Sequence, residues 1–295
     1  MRTFLAALVL AVLSIVSSAA AQAQTRIFGS AYTGGAGAAT LYSINPSTGA
    51  ATAIGPIGFN RVGALDFSPG GVLYGVGFNG ADSVLITINT GTGAGTLVGA
   101  LGIGTATQDI AFRSDGTLFA YAGGTIYTIN TSTGVATTVG NTGNFPDGNA
   151  IAFRGGTLFL GNTTGGTNGS LQTVNQTTGA VTLVVDFAYG AGFNTAANPR
   201  PGGMKFDPAT RTLFAAIIEG NGGAGPFLLG IIDPVTGAVT DVGTTVTGLD
   251  GLAILPAPGA VPLLSGATFA ALIAMMLAIA FAMMGRKEAL PRHSA

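Results

Sequence analysis

Gln108, Asn149 and Asp250, aligned with Gly63 and Gly202, hold equivalent places along a repeating pattern in this 295-residue chain, and Asp109 stands at the next position of the same pattern. Carboxylate and amide oxygens gathered about one centre are the hard ligands that a calcium-like cation takes. Two carboxylates are few for a tight site, and an Asp beside a strand often only bonds turn N–H groups. A metal-dependent hydrolase or lactonase built on these carboxylates is therefore the enzymatic alternative. The main reading needs no cofactor. A second group, Tyr189, Phe193 and Arg200 with Asn194 and Asn198, lies in the longest interruption of the repeat. Its mix of apolar and polar side chains suits either a ligand rim or a stiff flap over the body.

Other chemistry is excluded by composition. The chain has no Cys, and its one His is His293, close to the C-terminal end. Thiolate nucleophiles, zinc–thiolate sites and disulfides are impossible, and the body has no imidazole for a Ser-His-Asp triad. No nucleophile–base pair stands out, so a non-enzymatic binding or envelope-matrix module is expected. The formal net charge is -1, which fits no nucleic-acid partner. The Gly34-Gly35-Ala36-Gly37 run lacks a following Lys-Ser/Thr and opens no helix, so it is no phosphate loop.

The elements that must position these residues repeat. An apolar strand, an Asn or Asp, a short variable stretch and Thr-Gly recur, with the marker glycine at Gly49, Gly93, Gly134, Gly179 and Gly237. The spacing is in the forties except for the last interval, which holds the long insertion. Each period divides into short strands separated by turn residues such as Arg113-Ser114-Asp115-Gly116. Short strands repeating at this length indicate a propeller blade. The body, residues 25–255, resembles the WD40-like and quinoprotein-like propellers in architecture, without their Trp dockings. An all-β, single propeller of five four-stranded blades is expected. It opens on a second-strand segment, residues 26–31, and ends on a first-strand segment, residues 246–254. Placed side by side, these would close the ring and remove the open sheet edges of a linear array. A linear β-solenoid is the alternative, but its repeats are shorter.

The apolar excess is concentrated at the ends. Arg2, the apolar run from Phe4 to Val16, and the small residues ending at Ala23 read as a signal peptide, residues 1–23. Residues 256–262 form a linker that runs into the start of a motif. Residues 263–284 carry no charge and are long enough to cross a bilayer as a helix. Arg286 and Lys287 open a basic cytoplasmic tail, residues 285–295. Val261, Pro262, Leu263, Leu264 and Ser265, with that span and Arg286-Lys287, resemble bacterial C-terminal sorting tags of the Ile-Pro-Thr-Leu-Ser type. Pro262, Leu264 and Ser265 match, while Val261 and Leu263 replace Ile and Thr. The resemblance implies secretion machinery and a membrane sorting protease as partners. It also implies an exported protein, in the periplasm or at the cell surface, at least transiently anchored in the inner membrane. A plain membrane anchor is the alternative.

Overall fold

The computed structural model describes residues 25–33, 37–104, 106–144, 150–163, 169–195, 198–220 and 225–255. The signal peptide, linker, apolar span and sorting motif, together with Asn149, lie outside the described residues.

Among the described residues, every element is a strand. In chain order they are β1 (Ile27–Ala31), β2 (Ala38–Ile44), β3 (Ala51–Phe67), β4 (Leu73–Phe78), β5 (Ser83–Ile88), β6 (Gly95–Ala100) and β7 (Thr107–Phe112). Then come β8 (Leu118–Ala122), β9 (Thr125–Ile129), β10 (Ala136–Asn141), β11 (Ala150–Arg154), β12 (Thr157–Asn162), β13 (Ser170–Val174) and β14 (Val181–Asp186). The last are β15 (Ala188–Tyr189), β16 (Arg200–Phe206), β17 (Leu213–Ile218), β18 (Phe227–Ile232), β19 (Ala238–Thr244) and β20 (Leu249–Ile254). Successive strands pair antiparallel, β7 to β10, β11 to β14 and β16 to β19. A larger sheet runs β20-β1-β2-β3-β4-β5-β6.

That larger sheet exists because β3 is continuous. The sequence suggests a loop at Asn60-Arg61, but both residues lie within β3. The strand turns there without breaking. Gly58 has φ 80° and Arg61 φ 48°, and the pairing with β4 shifts register between Asn60 and Ala64. The first half of β3 pairs with β2 and the second half with β4.

β20 lies antiparallel beside β1, Ile27 opposite Ile254 and Gly29 opposite Leu252. Segments from opposite ends of the body thus share one sheet, as the complementary ends suggest. The inner strands are neighbours in cyclic order: β20, β3, β7, β11, β16 and again β20.

Burial follows from this arrangement. β1, β8 and β17 are buried at every position, although a sheet with one wet face would alternate. Both faces are covered. In β8, Leu118 and Ala120 pack toward Ile110 and Val76, whereas Phe119 and Tyr121 pack toward Ile151 and Leu158. In β1, Ile27 faces Phe214 and Leu229, whereas Phe28 faces Leu65 and Leu73. The core is therefore distributed between neighbouring sheets rather than gathered in one centre.

The Asn-x-x-Thr-Gly repeat makes a tight turn before each outermost strand. Asn89 Oδ1 accepts from the N–H groups of Gly91 (2.9 Å) and Thr92 (3.1 Å), an Asx-type turn. Asn130, Asn175 and Asp233 do the same. The turn then docks on the preceding sheet. A Cβ on Gly134 (φ 82°) would stand 2.5 Å from the carbonyl oxygen of Gly99 on β6, and one on Gly99 would strike the Thr133 carbonyl. The same approach links Gly55 to Gly93, Gly140 to Gly179, Asp186 to Gly237 and Gly243 to Gly49. A β-bulge precedes each receiving position on the outer strand, for instance between Thr138 and Gly140. The bulge bends that strand toward the neighbouring turn.

Candidate functional site

Inner strands leave N–H and C=O groups on their axial edge without ladder partners, and buried backbone groups need them. Two aspartates solve part of this in the same way. Asp66 on β3 accepts from its neighbour Phe67 (2.9 Å) and, across to β7, from the Phe112 N–H (2.7 Å). Asp109 on β7 accepts from Ile110 (2.8 Å) and, across to β11, from the Ile151 N–H (2.9 Å). Each carboxylate ties one inner strand to the next.

Asp109 has a further partner. Lys205, from β16, places its Nζ 2.9 Å from Oδ1 and 2.8 Å from Oδ2, and also donates to the carbonyls of Ile151 and Met204, both at 3.0 Å. Both side chains are buried, at 5% exposure for Lys205 and 0% for Asp109. Burial pushes the Asp109 carboxyl up to about 7, against the opposing pull of the Lys205 ammonium. Burial likewise raises Asp66 to about 6, again against Lys205. The cation at Asp109 is thus a side chain of the protein itself, and both carboxylate oxygens are engaged.

Asp250 occupies a different place. Its carboxylate lies between β3 and β16, where a Cβ on Gly63 would be 2.7 Å from Oδ2 and one on Gly202 would be 2.6 Å from Oδ1. Glycine at these two positions makes the space that the carboxylate fills. Gly63, Gly202 and Asp250 therefore share one level, as the repeat alignment suggests. Tyr32 donates its hydroxyl to Asp250 Oδ2 at 2.7 Å. Burial raises Asp250 to about 6, opposed by the Tyr32 hydrogen bond and by the charges of Arg200 and Arg61.

The other sequence candidates fall elsewhere. Gln108 turns its Oε1 to the Gly123 N–H at 3.1 Å. Tyr189 and Phe193 stack edge-on at 5.2 Å and pack on the core between β12 and β17. Tyr189 lies in β15, which adds a parallel strand to β19. Its buried hydroxyl has no hydrogen-bond partner among the described residues. Burial, then Glu219, raises the Tyr189 phenol above its ordinary range. Arg200 opens β16 and donates to the Gly220 carbonyl at 2.9 Å. Arg200 thus acts on Asp250 through its charge, while the Asn194 N–H, next to Phe193, donates to Glu219 at 2.7 Å, one residue before the Gly220 that Arg200 holds. Among the described residues, no group of three or more His, Cys, Asp or Glu stands where a metal ion could be held.

No family model matches the chain, and no curated protein matches it. Among solved structures, a chain of the nidogen/laminin complex is similar over 78% of this chain and 98% of its own, at 15% identity and a TM-score of 0.52. The fold is β-propeller-like. TolB from Acinetobacter baumannii covers 79% of this chain and 67% of its own, at 13% identity and a TM-score of 0.47. At these identities the likeness is one of fold alone.

Proposed function

We propose that the chain is an exported, non-enzymatic β-propeller of five four-stranded blades that serves as a binding or envelope-matrix module. The blades are β20-β1-β2 with the first half of β3, the second half of β3 with β4 to β6, then β7 to β10, β11 to β14 and β16 to β19. A signal peptide at residues 1–23 exports it. The apolar span 263–284 holds it in the inner membrane, at least until a sorting protease acts near Ser265.

The engagement of Asp109 carries the non-enzymatic reading. A metal-hydrolase reading needs that carboxylate as a ligand, yet Lys205 and two backbone N–H groups use both of its oxygens. Three measurements test the proposal. Elemental analysis of the purified chain, and melting curves with and without calcium, should show no bound divalent ion and no shift; a stoichiometric ion or lactone hydrolysis would overturn it. Mass spectrometry of the protein from its native envelope should find a C-terminus near Ser265. An intact Ala295 would leave the plain-anchor reading.

A further inference from the structure

A run of contacts defines the face from which the chain leaves the body. The Leu255 N–H donates to the Arg26 carbonyl at 3.0 Å. Beside it, the Thr25 hydroxyl donates to Asp207 Oδ2 at 2.6 Å. Asp207 opens the turn from β16 to β17, and its carbonyl accepts from the Arg211 N–H at 2.8 Å. Phe206, one residue earlier, lies under the Arg154 guanidinium, its ring centre 5.0 Å away. Arg154 ends β11, and the Gly156 carbonyl just beyond accepts from Gln176, whose Oε1 accepts from Arg113. Four arginines thus share the face that Leu255 leaves. Arg113 is paired with Asp115 at 2.7 Å. Arg26, Arg154 and Arg211 are exposed, and neither ion pair among the described residues involves them. Asp66, Asp109 and Asp207 are turned inward onto hydrogen-bond donors. Among the described residues, the face adds one further exposed carboxylate, Asp233, with an oxygen held by its own turn.

Apolar turn tips stand among these arginines. The Asp233 turn is equivalent to the Asn175 turn that carries Gln176, so Val235, 80% exposed, stands at the rim of the same face. Val72, 45% exposed, ends the turn from β3 to β4, which leaves an inner strand as the Asp207 turn does. Arg26 and Arg154 lie over the rings of Phe28 and Phe159, at 5.5 Å each, which holds them in place without an anion. A guanidinium pairs bidentately with phosphate, and an exposed apolar tip gains by leaving water. A soluble polyanion meets the first need and not the second, whereas a layer of lipid headgroups meets both. Reach selects the same partner. Residues 256–262 extend to at most about 25 Å before the apolar span 263–284 begins. So short a tether keeps the membrane at high effective concentration over this face. We propose that this face docks on the anionic lipid headgroups of the membrane that the span crosses, with Arg26, Arg154 and Arg211 on phosphates and Val235 among the headgroups. The proposal rests on the anchored reading and gives it an orientation. The loop from β4 to β5, at the other end of β4 from Val72, is then turned away from the membrane.

The chain has no Cys, so Val235→Cys and Ala81→Cys each place a single polarity-sensitive fluorophore, one on either face. The full chain is reconstituted in vesicles of phosphatidylcholine, alone or with phosphatidylglycerol. With phosphatidylglycerol, the probe at position 235 should shift to shorter wavelength and be quenched by brominated lipid. The probe at position 81 should stay in water in both. Each arginine contributes roughly fivefold to the docked-to-free ratio near an anionic surface. Arg26→Gln, Arg154→Gln and Arg211→Gln together should therefore lower it roughly a hundredfold. Salt at about 1 M, where the Debye length is about 3 Å, should release the unaltered face as well, which covers a triple variant that fails to fold. A probe at position 235 that stays in water over phosphatidylglycerol, or one at position 81 that responds equally, would overturn the docking. A chain washed from the vesicles by alkaline carbonate would instead overturn the anchored reading on which it stands.

Discussion

Lys205 is the only charged side chain in its inner-strand run Gly202-Gly203-Met204-Lys205-Phe206. Four acceptor contacts surround its ammonium. Removing one member of a buried pair strands the other, which costs about 3–5 kcal/mol. Lys205→Met should therefore lower unfolding free energy by about that amount in urea titrations. Adding Asp109→Asn should restore part of it, since an amide oxygen still accepts from Ile151. Asp66 gives a pH prediction. Its folded pKa is raised to about 6, so the folded state holds its proton more tightly than the unfolded chain does. That contribution is complete below about pH 4 and is lost as pH rises through 6, by at most about 3 kcal/mol. Asp66→Asn should flatten the fall in unfolding free energy between pH 4 and 7. The pairing of Lys205 with Asp109 could not be read from local spacing, because the partners come from distant strands that meet only at the axis. A lone Lys in an otherwise apolar and glycine-rich inner strand was the available signal. Asp109 and Asp250 were legible as axial residues, but what each one touches was not.

At the scale of elements, the glycines that close turns answer two separable demands. Gly116 (φ 89°) closes a turn with open space around it, whereas Gly134 (φ 82°) closes a turn against the backbone of β6. Gly116→Ala should cost about 1 kcal/mol, the backbone penalty alone. Gly134→Ala should cost at least about 2 kcal/mol more, because its methyl must displace the Gly99 carbonyl; equal urea midpoints would refute the docking role. The turn itself was plain in the sequence, since Asn or Asp followed by Thr-Gly is local chemistry. The docking was not, because a glycine required for φ and a glycine required for close approach look alike. The continuity of β3 was hidden for a similar reason: Asn60-Arg61 has loop composition, yet a left-handed Arg61 redirects the strand without ending it.

At the scale of the whole body, the period and the complementary ends of the chain were sufficient to place β20 beside β1. A repeat that buries both faces needs neighbours on each side, and two unmatched end segments answer that need. If β20 closes the ring, deleting residues 246–254 should lower the melting temperature of the entire body rather than loosen one sheet. Calorimetric unfolding as one cooperative transition in the intact chain and a broad, early one in the deletion would bear this out; an unchanged melt would refute it. The same pairing has a temporal side. The partner of β1 is the last of the described strands to leave the ribosome, so the two cannot pair until nearly the whole body has been made. Closing so long a loop is also slow. Until Leu249–Ile254 arrives, the body remains open-ended, and an open-ended chain can still be threaded through a narrow channel.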